Sequence, residues 1–549
     1  MSVWTTIFSL TQFQFPQMKI TLFLSGLALV TAATARAQAL PDRYRNDITS
    51  AVTTTTGVAF STNIPQVSTT NVLGFKLANE QTYGDVRTTL RMDIYQPQGD
   101  TLSRRPVIIF CFGGGFVDGK RTDADIVALA RSFAQRGFVT ASIDYRLGMN
   151  LTDPEKAKRA VYRALQDGRS AVRFFRNNAR TYRVDPNQVF ISGHSAGAFI
   201  ACNNAYVDRE AERPASTFAV NGLADLGALD AIGDNRTDAQ GRAVSGKANA
   251  VLSFAGAVVD PNHIEGPNDV PVALFHSVND PVVPYYSGKP FAFLDIVPGF
   301  NLPVVYGSNP INSRASAVGA PHLLYSYSFR GHDVHFSRLT FPQFIYSDIA
   351  PRGGDFFYNY RLKPATATIG GPATVCSSAL TQTYSVGSGY AYCDWQATGG
   401  TIVARNATTN SVTVAWSGSA TTRRLTATPY SRQLARGLPV SLTVSLGSCP
   451  SLRTDNSLAD GTEAPVAGVF GAYPNPTTGI LHVQLNGKMR GAASIRLLDK
   501  FGAVRARAEL TDAAAISEQS LDLNALPAGV YYVQVTTAQQ VLTQRVVKE

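Results

Sequence analysis

The chain has 549 residues, 44% of them hydrophobic and 16% charged, with 49 Lys and Arg against 39 Asp and Glu for a formal net charge of +10. That length exceeds the roughly 250–300 residues at which a single hydrophobic core stops growing, so several domains are expected and a disordered chain is excluded by composition. The basic residues are scattered with no run of five, which argues against nucleic-acid binding and makes the charge a solubility feature.

In chain order, Lys19 precedes the apolar run Ile20–Val30, and Ala35-Arg36-Ala37 follows. A charged region, a short apolar stretch and an Ala-x-Ala site make a secretory signal over residues 1–37, with Met18 a candidate start. The run is too short for a comfortable membrane span. Residues 38 to 104 form a threonine-rich lead-in ending at Thr88–Tyr95, expected as an antiparallel edge strand. Val107–Phe110, apolar on both faces, reads as a buried parallel strand. A helix over Asp123–Arg136, a strand over Phe138–Ile143 and a longer helix from Asp153-Pro154 follow, the last with Val161, Leu165, Val172 and Phe175 on one face. The strand Val189–Ser192 leads into Gly193-His194-Ser195-Ala196-Gly197. Ala250–Phe254, Val272–His276 and Leu323–Tyr327 complete an alternating pattern that makes residues 38–362 an α/β domain with a mostly parallel sheet.

The composition then changes. Residues 364–447 are almost free of acidic residues and read as short strands of a β-sandwich, residues 448–467 as a linker, and residues 468–549 as a second all-β module. Of five cysteines, Cys111 and Cys202 are expected to be packed, while Cys376 could bridge to Cys393 or to Cys449.

The Gly-x-Ser-x-Gly stretch between strand and helix is the pattern of a nucleophile elbow, whose flanking glycines are needed because a Cβ has no room beside the turned serine. Ser195 is the candidate nucleophile. The glycine loop Gly113-Gly114-Gly115 follows a core strand, and the N–H groups of Gly114, Gly115 and Ala196 are the candidate oxyanion donors. Asp280, in the loop after the strand ending at His276, is the candidate acid. The order Ser, Asp, His then leaves two candidate bases, His332 and His335, of which His332 is preferred because it falls at the loop tip. Neither metal-ligand spacing nor a phosphate-binding glycine loop is present, so no metal and no cofactor are expected.

Phe112-Gly113-Gly114-Gly115-Phe116, Asp144-Tyr145-Arg146-Leu147-Gly148, Val184-Asp185-Pro186 and Gly193-His194-Ser195-Ala196-Gly197 occur in this order. Together they resemble an α/β-hydrolase of the carboxylesterase and hormone-sensitive-lipase type over residues 80 to 362. The resemblance implies hydrolysis of a carboxylic ester through an acyl-enzyme on Ser195, on acetyl or feruloyl esters of polysaccharide or on short-chain esters. Phe112 departs from the histidine that often opens the glycine loop. The polar segment from Tyr206 to Ala248 stands where such enzymes carry a cap and is expected to shape the substrate site. A serine peptidase of the same fold and a non-catalytic surface adhesin are the alternatives.

Ile369-Gly370-Gly371-Pro372, Tyr384, Trp395 and Gly399-Gly400-Thr401-Ile402 resemble a PKD-like, immunoglobulin-type domain, with Trp395 and Trp416 expected in its core. Tyr473-Pro474-Asn475-Pro476-Thr477 and Leu526-Pro527-Ala528-Gly529-Val530-Tyr531 resemble a type IX secretion C-terminal sorting domain. That implies export, with the type IX secretion machinery as partner, and a secreted or cell-surface product.

Overall fold

A computed structural model describes residues 42–336, 342–447, 470–485, 492–499, 503–511, 518–537 and 541–549. The expected signal segment and linker lie outside the described residues. The chain divides into two compact units, Met1–Cys449 and Pro450–Glu549.

The first unit is built on an eight-stranded sheet: β1 (Val52–Gln66), β2 (Val86–Pro97), β3 (Arg105–Cys111), β4 (Val139–Ile143), β5 (Val184–His194), β6 (Val251–Phe254), β7 (Val272–Ser277) and β8 (His322–Tyr327). Their order across the sheet is β1-β2-β4-β3-β5-β6-β7-β8. The pairs β1–β2 and β2–β4 are antiparallel and all the others parallel. This is the α/β-hydrolase architecture. Strands β3, β4, β6 and β7 are buried along their whole length, so the apolar run Val107–Cys111 of β3 is covered on both faces and even Thr140, Ser142, Ser253 and His276 are shielded from solvent. The threonine-rich lead-in corrects one expectation. Thr88–Tyr95 lies in β2, second from the edge, and the edge is β1, whose mostly exposed threonines give little strand signal.

Five helices matter for the site: α1 (Ala124–Gln135), α2 (Pro154–Asn177), α3 (Ala196–Tyr206), α4 (Ser308–Val318) and α5 (Ala350–Phe357). Helix α2 starts on Asp153, whose carboxylate accepts from the N–H groups of Glu155 and Lys156, with Pro154 in the first turn. Its apolar face meets α3 and the sheet as the periodicity predicts, but its polar face is buried as well. Arg159 and Arg163 pair with Glu80 at 3.0 and 2.7 Å, and Arg146 pairs with Asp167 at 2.9 Å, all with side chains wholly shielded from solvent.

The cover over this face is the segment that the sequence suggested as a substrate cap. Arg159 donates to the carbonyls of Ser216 and Ala224, Gln166 to those of Leu226 and Ala228, and Asn177 to those of Asn235 and Thr237. Residues 207–248 therefore wrap α2, holding an irregular backbone through buried side chains that satisfy its carbonyls.

Residues 364–447 form small sheets, antiparallel except for the parallel pair of Thr374–Cys376 with Ser445–Gly447, around their own core of Tyr384, Val412, Val414, Trp416, Leu425 and Ala427. Trp395 and Trp416 are both 3% exposed, and the Trp416 indole N–H donates to the Tyr384 hydroxyl at 2.9 Å, which makes them core residues. This segment shares the first compact unit with the hydrolase: the Gln433 amide donates to Asp185 at 2.7 Å, and the hydroxyls of Tyr44 and Tyr358 donate to the carbonyls of Gln433 and Arg436. Cys376 is disulfide-bonded whereas Cys393 is free and buried, which excludes a bridge between them; Cys449 lies outside the described residues. Cys111 and Cys202 are free and buried.

The second unit stacks a sheet of three strands, over 470–473, 480–485 and 518–522, with one of four, over 493–499, 504–510, 529–537 and 541–548. Leu481, Val483, Ile495, Leu497, Val533 and Val535 alternate inward to form its core.

Replacing Glu80 by alanine leaves Arg159 and Arg163 buried without their counter-charge. Glu80→Ala should therefore lower unfolding free energy by about 3–5 kcal/mol in urea titrations; a loss below about 1 kcal/mol would contradict the placement of this cluster.

Candidate active site

The site is built where the carboxyl ends of the parallel strands meet. At the end of β5, Ser195 has φ +53° and ψ −119°, a strained conformation for a non-glycine residue, and its N–H donates to the Phe254 carbonyl at the end of β6. The flanking glycines are required by close approach. A Cβ on Gly193 would lie 2.4 Å from the Gly197 carbonyl carbon, and one on Gly197 would lie 2.1 Å from the Cys111 carbonyl oxygen. Ala196 opens α3, so its N–H is one of the unpaired donors of a helix N-terminus.

The glycine loop after β3 lies against this elbow. A Cβ on Gly113 would meet the His194 ring at 2.9 Å and the Ser195 Cβ at 3.4 Å. Gly114 has φ +114° and Gly115 φ +60°, and among the described residues neither N–H donates to a protein acceptor. The loop is held by its own turn, in which Val117 and Asp118 both donate to the Gly114 carbonyl at 3.0 Å. The departure at Phe112 has a structural answer: its ring stacks on Tyr145 at 4.2 Å, and the Tyr145 hydroxyl donates to the Phe112 carbonyl at 3.0 Å.

Asp280 follows β7. Its side chain is fully buried and accepts from the backbone N–H groups of Val282 and Val283 at 2.8 and 3.0 Å. His332 Nδ1 donates to both carboxylate oxygens, at 2.8 and 3.1 Å, and His276 Nε2 donates to Oδ2 at 3.2 Å. Burial opposes ionisation, but the hydrogen bonds from His276 and His332 outweigh it and hold the Asp280 carboxyl well below the usual carboxylate range. An ionised Asp280 only accepts, so it fixes the proton of His332 on Nδ1 and leaves Nε2 as an acceptor.

His335 stands elsewhere. It is fully buried and bonds through Nε2 to Asp125 at the start of α1, at 2.9 Å. Between the two loop histidines lies His194, the residue before the serine. Burial, then the neighbouring His335 and His332, push its pKa well below the ordinary value. The neutral ring donates from Nε2 to the His332 carbonyl at 3.2 Å. The loop bearing His332 is thus tied at three points: to Asp280, to His194 and, through His335, to Asp125. The donor atoms of Asp125, His194 and His335 lie within 4.8 Å of one another and are, among the described residues, the group that could hold a cation. The hydrogen bond from His335 already engages Asp125 there. Sequence spacing concealed both this group and the support given by His276 and His194, because the partners are far apart in the chain or sit on a strand like any core residue.

Ser195, His332 and Gly114 line one cavity of about 370 Å³. Its walls are Phe75, Val117, Leu151, Phe291, Leu294 and Phe300. Phe75 comes from the hairpin over residues 68–79, which is tied to the glycine loop by Lys76 N–H donating to the Val117 carbonyl. No residue of 206–248 lines the cavity, so the expected cap is replaced by this hairpin and by the segment 282–302.

Two family models match the chain: BD-FAE over residues 92–292, and the secretion system C-terminal sorting domain over residues 471–549. A neuroligin-like protein of Caenorhabditis elegans, glit-1, is 35% identical over 115 residues, 20% of this chain and 15% of that protein. A probable isoprenylcysteine alpha-carbonyl methylesterase of Oryza sativa subsp. japonica is 32% identical over 119 residues, 22% of this chain and 26% of that protein. The match thus spans little more than a quarter of these curated relatives at most. Among solved structures, a thermophilic esterase from Thermogutta terrifontis with bound propionate aligns with 22% identity and a TM-score of 0.35 over 50% of this chain and 89% of that one. By sequence and strand order together, the chain joins a BD-FAE domain of the α/β-hydrolase fold to a secretion system C-terminal sorting domain.

Proposed function

We propose that the protein is an exported serine esterase that cleaves carboxylic esters through an acyl-enzyme. The observation that carries this reading is the meeting of three chain-distant groups: Ser195 and His332 line one cavity, and Asp280 accepts the Nδ1–H of that histidine. Ser195 Oγ attacks the ester carbonyl carbon while His332 Nε2 takes its proton. The N–H groups of Gly114, Gly115 and Ala196 receive the oxyanion, at positions fixed before substrate arrives. As the tetrahedral intermediate collapses, His332 returns the proton to the departing alcohol oxygen. Water then enters, gives a proton to His332 and attacks the acyl carbon, releasing the acid and restoring Ser195 Oγ–H. Asp280 keeps the imidazole oriented and offsets its charge.

His335, already hydrogen-bonded to Asp125, supports the assignment of the base to His332. The match to the C-terminal sorting domain supports export by a type IX route, with the product secreted or held at the cell surface.

Four outcomes are expected. With p-nitrophenyl acetate, Ser195→Ala and His332→Ala should each lose about a millionfold in kcat, and Asp280→Asn about ten-thousandfold. His335→Ala should keep measurable turnover, and its inactivity beside an active His332→Ala would transfer the base to His335. Because Asp280 stays ionised below the usual carboxylate range, the acid limb of kcat/KM should carry one proton, and a two-proton limb would contradict that state. Deleting residues 468–549 in the native host should leave the protein in the periplasm; unchanged export would refute the sorting role.

A further inference from the structure

Ser195 stands between two cavities of very different size. The larger, of about 370 Å³, has His332 in its wall. The second is a recess of about 50 Å³ that shares Ser195, Gly115 and Phe291 with the first and adds Ala196. Phe116, Met149, Val161 and Phe199 form one part of its apolar lining, Val283, Pro290, Leu302 and Val305 another, and His332 is not among the lining residues. Phe116, Met149 and Phe199 are each at most 6% exposed, and Phe116 packs edge-on against Phe199 and Tyr145, so this lining is set in the core.

The chemistry assigns the two spaces. When the acyl carbon bonds to Ser195 Oγ and its oxygen faces the glycine loop and Ala196, the acyl chain and the leaving alcohol point to different sides. The leaving oxygen must take its proton from His332, so the alcohol lies in the cavity that His332 lines. The acyl chain is left with the recess.

We propose, resting on the serine-esterase reading above, that this recess is the acyl site and restricts the enzyme to esters of acetyl- or propionyl-sized acids, with the bulk of the substrate on the alcohol side. An apolar cavity of roughly 150 Å³ is needed to take a benzene ring. The recess offers about a third of that, enough for a methyl or ethyl group and too little for an octanoyl chain or the ring of ferulic acid. The larger cavity falls within the usual range of roughly 300–1,000 Å³ for ligand sites and accepts a ring-sized alcohol.

The test is the acyl-length profile of the full chain. In the wild type, kcat/KM for p-nitrophenyl acetate should exceed that for the octanoate by at least about a hundredfold, with methyl ferulate as poor as the octanoate. Met149→Ala and Val161→Ala, made separately so that one misfolded variant does not decide the matter, should narrow the acetate-to-octanoate ratio by about tenfold or more. Octanoate or ferulate turnover equal to acetate in the wild type would overturn the acyl assignment while leaving the esterase reading intact. So would an unchanged ratio in both variants, each folded by circular dichroism. Absence of hydrolysis with every ester would overturn the esterase reading and the acyl assignment with it.

Discussion

The site depends on one close contact between two strand ends. The elbow after β5 presses against the end of β3 so tightly that a single Cβ on Gly197 would stand 2.1 Å from the Cys111 carbonyl oxygen. That contact brings the glycine loop, which continues directly from Cys111, beside Ser195. It also turns the serine into its positive-φ conformation at the first turn of α3, where unpaired N–H groups gather. The candidate nucleophile and the candidate oxyanion donors are therefore placed by one packing constraint. Because the Ser195 N–H is itself bonded to Phe254 at the end of β6, the constraint reaches the strands that lead to Asp280.

Around this contact, buried charge supplies orientation more than net stability. Asp280 is kept ionised in a fully shielded position by two histidines and two backbone N–H groups, so the imidazole it holds has one defined tautomer. Behind α2, Glu80 is shared between Arg159 and Arg163, and Arg159 together with the Gln166 amide satisfies carbonyls of residues 207–248. Such a network contributes little relative to an apolar core, but it specifies one path for an irregular segment and costs heavily when broken in part. With that segment committed to α2, the cavity at Ser195 is walled by the hairpin at Phe75, the glycine loop, Leu151 and residues after Asp280.

Much of this was legible in the sequence, for identifiable reasons. Continuous apolar runs marked the buried parallel strands, and a glycine on each side of Ser195 marked a turn without room for Cβ. Asp280 and the two candidate bases, His332 and His335, were readable because they follow strands in a fixed order. Four features were not. The threonines of β1 are mostly solvent-facing and lack the alternation that betrays a half-buried strand. Nothing in the spacing of the charged side of α2 marks it as buried, and it is the tertiary contacts with Glu80 and residues 207–248 that bury it. The pairing of His335 with Asp125 joins positions 210 residues apart, so no local spacing could separate it from the alternative base. The free state of Cys393 likewise depends on contacts in space.

Every step of the proposed hydrolysis requires Ser195 to be an activated nucleophile. Treatment of the full chain with a fluorophosphonate, followed by peptide mass mapping, measures this without reference to any substrate. One phosphonyl adduct is expected, on the peptide containing Ser195, formed rapidly at neutral pH and abolished by prior heat unfolding. A folded protein that acquires no adduct, or that carries it on another residue, would contradict that activation.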